Sequence, residues 1–422
     1  MIIEMLSTGD EVLQGDIVDT NAAWAGQQLA ERGLKFSRRQ TVADDLPTLV
    51  SVLDECCQRA DWLLVNGGLG PTSDDLSAQA AAMLLGVELE LNQSWVENMQ
   101  RWYEQKQREM PQSNLKQAML PQGAELIDNP VGTACGFIIT HHQCQVLFTP
   151  GVPSEFKHML THSWLPRLSD GQSANVKRFF AFGLSESGIA QQLDELELPK
   201  GVRLGFRAER PSIEVKVFSE KSAAPHVEHL YEQIRGKLKE QLFSEDESNW
   251  AALVQKQMID KNLKLTCAES CTGGMLASQL VSVPGSSAYF ERGFVTYTNQ
   301  AKQQMLGVQS QLLDNFGAVS IEVAEAMAKG ALKHSEADIA LSITGIAGPD
   351  GGSDEKPVGT VCFALATAQS CFTQRLLMTG RTRQAIRETA AATALDMLRR
   401  YLNNQPIWGD YDLIRRVQVK QS

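Results

Sequence analysis

Ser270, Lys302, Tyr297 and Thr344 are the residues whose types and settings could do chemistry. Ser270 lies in Ala268-Glu269-Ser270-Cys271-Thr272-Gly273-Gly274. Before it, Leu263 to Cys267 alternates apolar and polar, the pattern of a short strand; after it, Met275, Leu276, Leu280 and Val281 recur at helical spacing. The turn between therefore meets a helix start, where unpaired amides carry partial positive charge. A serine there is a candidate nucleophile with an oxyanion site attached. Read alone, the heptapeptide is more simply a helix cap through Ser270 or Thr272. Tyr297 ends a strand over 293–297, and Lys302 falls one turn into a short helix for which Asn299 is a candidate cap. A third strand, 339–343, runs into Thr344-Gly345-Ile346-Ala347-Gly348-Pro349-Asp350-Gly351-Gly352.

If one sheet gathers these turns, a Ser–Lys–Tyr hydrolytic site results. Its lysine must be neutral to accept a proton, and at an unperturbed pKa only about one in 2,500 is neutral at pH 7. Burial, or a cationic neighbour such as Arg383, would have to lower it. None of the turns holds a histidine, so a Ser-His-Asp triad is not on offer. Singly, Tyr297 reads as a half-buried sheet tyrosine and Lys302 as a solvated helix lysine. The coincidence of three strand-end turns is what favours a site.

The N-terminal part repeats the theme with different residues. Strands near 2–6, 36–42 and 61–66 alternate with helices from about 22–32, for which Thr20 or Asn21 is a candidate cap, and 46–59. This βαβα order implies a parallel sheet with helices on both faces, whose ligands sit beyond the strand C-termini. Two polar loops fall there, one with Asp10 and Glu11, the other Gly67-Gly68-Leu69-Gly70-Pro71-Thr72-Ser73-Asp74-Asp75. The second offers amides to a phosphate and carboxylates to a hard divalent cation. It reads equally as a tight turn in which Asp74 caps the next helix, and it is neither a Rossmann fingerprint nor a P-loop. Further glycine turns lie at 129–137 and 150–155. His158 and His162, four apart on a helix, read as solvated rather than as metal ligands.

Elements of this kind divide 422 residues into two three-layer α/β domains joined by a small α+β module, with boundaries 1–168, 174–243 and 249–405. The small polar stretch Ser169–Ser173 marks the first boundary. Ser244–Ser248 reads as an acidic, solvated hinge, and 406–422 as a tail with little signal. Apolar content of 43% and charged content of 21% are those of a well-cored globular chain. A net charge of -11 argues against a nucleic-acid partner, whose affinity rests on clustered Lys and Arg. The eight cysteines form no Cys-x-x-Cys pair and no zinc spacing, which points to a reducing, cytoplasmic setting. No apolar run is long enough for a membrane helix.

Taken together, Ala268–Gly274, Tyr297-Thr-Asn-x-Ala-Lys302 and Thr344–Gly352 resemble the nicotinamide-nucleotide amidase family. Gly67–Asp75 and Pro150-Gly-Val-Pro-x-Glu155 resemble the molybdopterin-binding-like domain that precedes it in CinA proteins. The resemblance runs over nearly the whole chain. It implies deamidation of nicotinamide mononucleotide, with Ser270 as nucleophile, Lys302 as base and Tyr297 assisting, and no cofactor. Substrate binding would fall to Thr272, Gly273, Gly274, Thr344, Gly345, Gly348, Gly351, Gly352 and Arg383, with amides around Thr272–Gly274 receiving the oxyanion. For the N-terminal domain it implies a metal-dependent ADP-ribose pyrophosphatase. There Gly67, Gly68, Gly70 and Thr72 would hold the substrate, and Asp74, Asp75, Asp10 and Glu11 an Mg2+-like cation. It further implies a KH-type middle module and a homodimer. Cys135 stands where the family pattern expects proline, and Phe148-Thr149 where it expects an aliphatic residue. Competing readings are a pterin-binding or adenylyl-transfer module at the N-terminus, or a non-enzymatic competence accessory.

Overall fold

The computed structural model describes residues 1–168, 175–220, 224–378 and 380–422. Its contacts divide the chain into two compact units, Met1–Asn175 and Val176–Ser422. The expected boundary at Ser169–Ser173 lies outside the described residues.

In the first unit, strands β1 (Ile3–Thr8), β2 (Phe36–Val42) and β3 (Trp62–Asn66) precede a two-stranded ribbon, β4 (Leu89–Leu91) with β5 (Met119–Pro121). They are followed by β6 (Glu125–Ile127), β7 (Gly136–His141) and β8 (Cys144–Thr149). The main sheet has the order β2-β1-β3-β8-β7-β6. Its first four strands are parallel; β7 runs antiparallel to β8, and β6 antiparallel to β7, so β7 alone runs against the rest. Separate apolar cores cover the two faces, one built on Leu63, Val65 and Phe148, the other on Ile3, Leu64 and Leu147. Alternate residues of one strand thus feed opposite cores, which makes the unit three-layered. Ser7 pairs with Asn66 and Asn66 with Thr149, so the loops that follow β1, β3 and β8 leave the same rim. Neither Thr20 nor Asn21 caps the helix Thr20–Glu31. Asp19 does so by accepting the Ala22 amide, because its carboxylate sits just ahead of the first turn.

The second unit opens with a four-stranded α+β module. Its strands are β9 (Asn175–Phe182), β10 (Val202–Glu209), β11 (Ser212–Ser219) and β12 (Leu242–Glu245), in the order β10-β11-β9-β12. Ser244 and Glu245, expected in a solvated hinge, instead pair with Phe180 and Phe179 of β9. Arg235 and Lys177 neutralise Glu245, and Phe243 stacks on Trp250 with ring centroids 3.9 Å apart. Beyond it lie β13 (Leu265–Glu269), β14 (Phe290–Val295), β15 (Ile339–Gly345), β16 (Thr360–Thr367), β17 (Cys371–Leu377) and β18 (Arg415–Gln421). Their order is β14-β13-β15-β16-β17-β18, with β14, β13 and β15 parallel. The 406–422 stretch, expected as a tail, contributes the edge strand β18, whose side chains are all exposed and whose backbone pairs with β17. No described helix is long and apolar enough to cross a membrane.

Candidate functional site

The three parallel strands of the last sheet decide where its chemistry falls. Glu269 is in register with Val295 on one side and Ile343 on the other. The next residues, Ser270, Thr296 and Thr344, therefore leave one rim side by side. The Ser270 amide donates to the Ile343 carbonyl at 2.9 Å, which holds the serine to its neighbouring strand.

Ser270 does not cap the helix Met275–Val281, and neither does Thr272. Glu269 does that work. Its fully buried carboxylate accepts the amides of Gly274, Leu276 and Ala277 at 3.0, 3.1 and 2.8 Å. A carboxylate satisfies several orphan donors at once and complements the helix dipole. The serine hydroxyl is thereby left for another partner.

That partner is Lys302. The helix Asn299–Leu306 is capped by Thr298, which accepts the Ala301 amide, and not by Asn299, whose position is already helical. Its buried face carries Lys302 and, one turn on, Leu306. Lys302 is 1% exposed and Ser270 8%. The Lys302 ammonium donates to Ser270 Oγ at 2.9 Å and to the Thr296 carbonyl at 2.8 Å. Burial pushes the lysine pKa down to about 8, and the one opposing influence is the nearby Cys271 thiol. At pH 7 that leaves about one lysine in ten neutral, some hundreds of times more than in water. Burial pushes the Cys271 thiol up to about 12, so the sulfur stays protonated and does not compete as nucleophile.

Tyr297 is not part of this pair. Its ring is 57% exposed, and its hydroxyl accepts from Arg383 Nη2 at 2.9 Å. Arg383 also donates to the Gly348 carbonyl at 2.5 Å, which ties the Thr344–Gly352 loop to the tyrosine. Gly351 and Gly352 are exposed farther along this loop. Thr344 is buried, and its hydroxyl donates to the Ala318 carbonyl, so it braces the rim. A Cβ on Gly345 would lie 3.0 Å from Cys271 Sγ and from the Thr360 carbonyl oxygen, so a side chain there would press on the nucleophile turn. Of the amides expected to receive an oxyanion, Gly273 donates to Ser270 O and Gly274 to Glu269, so both are spent within the turn. Thr272 differs, its hydroxyl being buried with no hydrogen-bond partner. Sequence reasoning missed Arg387, which donates to the Thr272 carbonyl at 2.8 Å. Its one available signal was its place four residues after Arg383, hence on the same helix face.

The rim of the first sheet holds a cavity of about 590 Å³ between the loops after β1, β3 and β8, with Thr8, Glu11, Asp44, Gly67, Gly68, Gly70, Thr72, Asp74, Asp75 and Glu155 in its wall. Gly67 has φ +113°, and a Cβ there would lie 2.6 Å from Thr8 Oγ1. The loop can approach β1 only as glycine. Asp75 turns into its own loop. One oxygen accepts the Gly70 amide at 2.7 Å, and the other accepts the Thr72 amide at 2.8 Å and the Thr72 hydroxyl at 2.5 Å. Asp10, Glu11 and Asp74 stand near Asp44, which sequence reasoning missed. Burial raises the Asp44 pKa, and these three negative charges raise it further. Among the described residues no three of these carboxylates bring oxygens within 4.8 Å of one another. The donor set is hard and mostly acidic, and the buried Thr8 Oγ1 and Asn21 Oδ1 beside it lack partners. Both features fit a hydrated divalent cation with a polar ligand. His158 and His162 stack at 4.2 Å between centroids on their helix and form no metal cluster among the described residues.

Residues 4–170 match the family described as probable molybdopterin binding domain, and residues 247–402 the CinA C-terminal domain. A CinA-like protein of Shewanella woodyi is 47% identical over 421 residues, 99% of both chains. The nicotinamide-nucleotide amidohydrolase PncC of Shewanella oneidensis is 45% identical over 426 aligned residues, again 99% of each. Among solved structures, a competence/damage inducible protein of Agrobacterium tumefaciens is 45% identical, with 36% of this chain and 93% of its own covered and a TM-score of 0.36. With both domains present in this order and relatives matched end to end, the chain belongs to the CinA family.

Proposed function

We propose that the second unit hydrolyses the carboxamide of nicotinamide mononucleotide to nicotinate mononucleotide and ammonia. The observation that carries this is the buried Lys302 amine 2.9 Å from Ser270 Oγ. The name of the S. oneidensis relative supports the substrate. Neutral Lys302 takes the hydroxyl proton as Ser270 Oγ bonds to the amide carbon. The oxyanion is received by the Thr272 end of the turn. Collapse breaks the C–N bond, and Lys302 returns its proton to the departing nitrogen, giving ammonia and an acyl ester on Ser270. Water then attacks that ester, again through Lys302, releasing the acid and restoring the serine. Arg383 and Tyr297, both exposed at the rim, take the phosphate end of the nucleotide, so Tyr297 serves binding more than proton transfer. No metal enters this scheme. Incubating the protein with nicotinamide mononucleotide under a chelator tests it, and absence of ammonia would refute it.

For the first unit the proposal is hydrolysis of ADP-ribose to AMP and ribose 5-phosphate. Asp10, Glu11, Asp44 and Asp74 would hold a divalent cation of the Mg2+ type. When bound, that cation supplies charge neutralisation to the diphosphate. Gly67, Gly68, Gly70 and Thr72 present backbone and hydroxyl donors to phosphate, and Asp75 keeps their loop in shape. The family description of this half favours a second reading, a pterin-binding module. Phosphate release from ribose 5-phosphate by added phosphatase, after incubation with ADP-ribose and Mg2+, separates the two. A cytoplasmic homodimer remains part of the proposal, with sedimentation as its check.

A further inference from the structure

We propose that Asp54, His141 and His142 form a binding site for a zinc-type transition-metal cation, at the rim of the first sheet opposite its cavity. Strands β7 and β8 form a hairpin in which His141 pairs with Cys144, so His142 and Gln143 are its two-residue loop. His142 has φ +54°, a left-handed backbone that is uncommon for any residue but glycine. That backbone sets the two imidazoles beside each other, with centroids 4.2 Å apart. Both Nε2 atoms converge on the same oxygen, Asp54 Oδ1, His141 at 3.0 Å and His142 at 3.3 Å. Zinc bound tetrahedrally at ~2.0–2.1 Å has ligand atoms about 3.3 Å apart. The two nitrogen–oxygen separations are already close to such an edge, and all three atoms lie within 4.8 Å of one another.

The surroundings suit a cation held by three protein ligands and water. The other Asp54 oxygen accepts the Gln58 amide at 2.8 Å, which fixes the carboxylate with Oδ1 toward the rings. His142 is 51% and Asp54 41% exposed in the side chain, so open coordination positions face solvent. Two imidazoles and one carboxylate select zinc-like ions over Mg2+. Asp54 sits on the helix Leu46–Cys57, so a bound ion would tie that helix to the β7–β8 hairpin. Six residues of β8 separate this hairpin from the catalytic rim, roughly 17–20 Å, so the site acts on stability rather than on the reacting atoms.

The test is zinc titration of the full chain against a chromogenic chelator, in excess Mg2+ so that the hard carboxylates are occupied. All eight cysteines are buried, so the folded chain offers zinc no thiol. One zinc per chain is expected at micromolar affinity, with a zinc-dependent rise in Tm. His142→Gln and Asp54→Asn should each weaken binding at least about tenfold and abolish the rise in Tm. Both sites are solvent-facing, so the folds survive. His158→Gln should change nothing. Zinc affinity within twofold of the parent in His142→Gln and Asp54→Asn, or no zinc bound at micromolar concentration, would overturn the site.

Discussion

Lys302 Nζ and Ser270 Oγ lie 2.9 Å apart across 32 residues of chain. Two independent local decisions bring them together. Pairing of β13 with β14 and β15 places the serine at the rim, and the buried face of a short capped helix aims the lysine at it. The consequence is a base whose proton affinity is set by burial.

The first prediction is a pH dependence. Lys302 must be neutral to act, and its pKa lies at about 8. kcat/KM for amide hydrolysis should therefore climb about tenfold per pH unit up to that value and level off above it. A profile flat between pH 6 and 9 would contradict the assignment.

The same shift is a stability statement. The folded pKa lies below the unfolded one, near 10.5. Between the two values the unfolded chain binds more protons, so wild-type stability gains as pH rises from about 8 to 10.5. Lys302→Met lacks that gain. The stability of the wild type relative to the variant should increase by on the order of 3 kcal/mol across this window, read by urea unfolding at pH 7 and pH 10.5. Parallel curves would show the lysine to be solvated.

Glu269→Gln tests the cap. Replacing one carboxylate oxygen with an amide group opposes a donor to buried helix amides, at a cost of about 2–3 kcal/mol. A lowered Tm and a reduced kcat are expected together, because the same turn holds Ser270. An unchanged Tm would mean the amides find other partners.

Arg383→Ala separates binding from chemistry. Arg383 is exposed and touches Tyr297 and Gly348 rather than Ser270. KM for the nucleotide should rise ten- to a hundredfold, about the worth of one charged hydrogen bond, with kcat within a fewfold. A collapse of kcat at unchanged KM would place the arginine at the reacting atoms instead.

The elements that can be read locally are the ones that came out of the sequence. Ser270 and Lys302 were legible because each follows a strand with a clear pattern, Ser270 just ahead of a helix and Lys302 in the first turn of one. The direction of Tyr297 was not, because a strand-end side chain takes its course from its tertiary partner, here Arg383. Asp44 escaped notice because it adjoins Asp45, which caps the helix Leu46–Cys57, and an Asp-Asp pair before a helix reads fully as capping. Glu245 looked like a hinge because composition cannot see Arg235. Strand β18 offers only Val417 and Val419 as apolar side chains, both exposed and set among charged and amide residues, so its backbone pairing with β17 is what reveals it.

The most direct measurement is ammonia release from nicotinamide mononucleotide, at pH 8 with chelator present, by the wild type, Ser270→Ala and Lys302→Met. Steady release by the wild type is expected, with a loss of at least about a thousandfold in both variants and their folds intact by circular dichroism. Release by Lys302→Met at a rate near the wild type's would contradict the account.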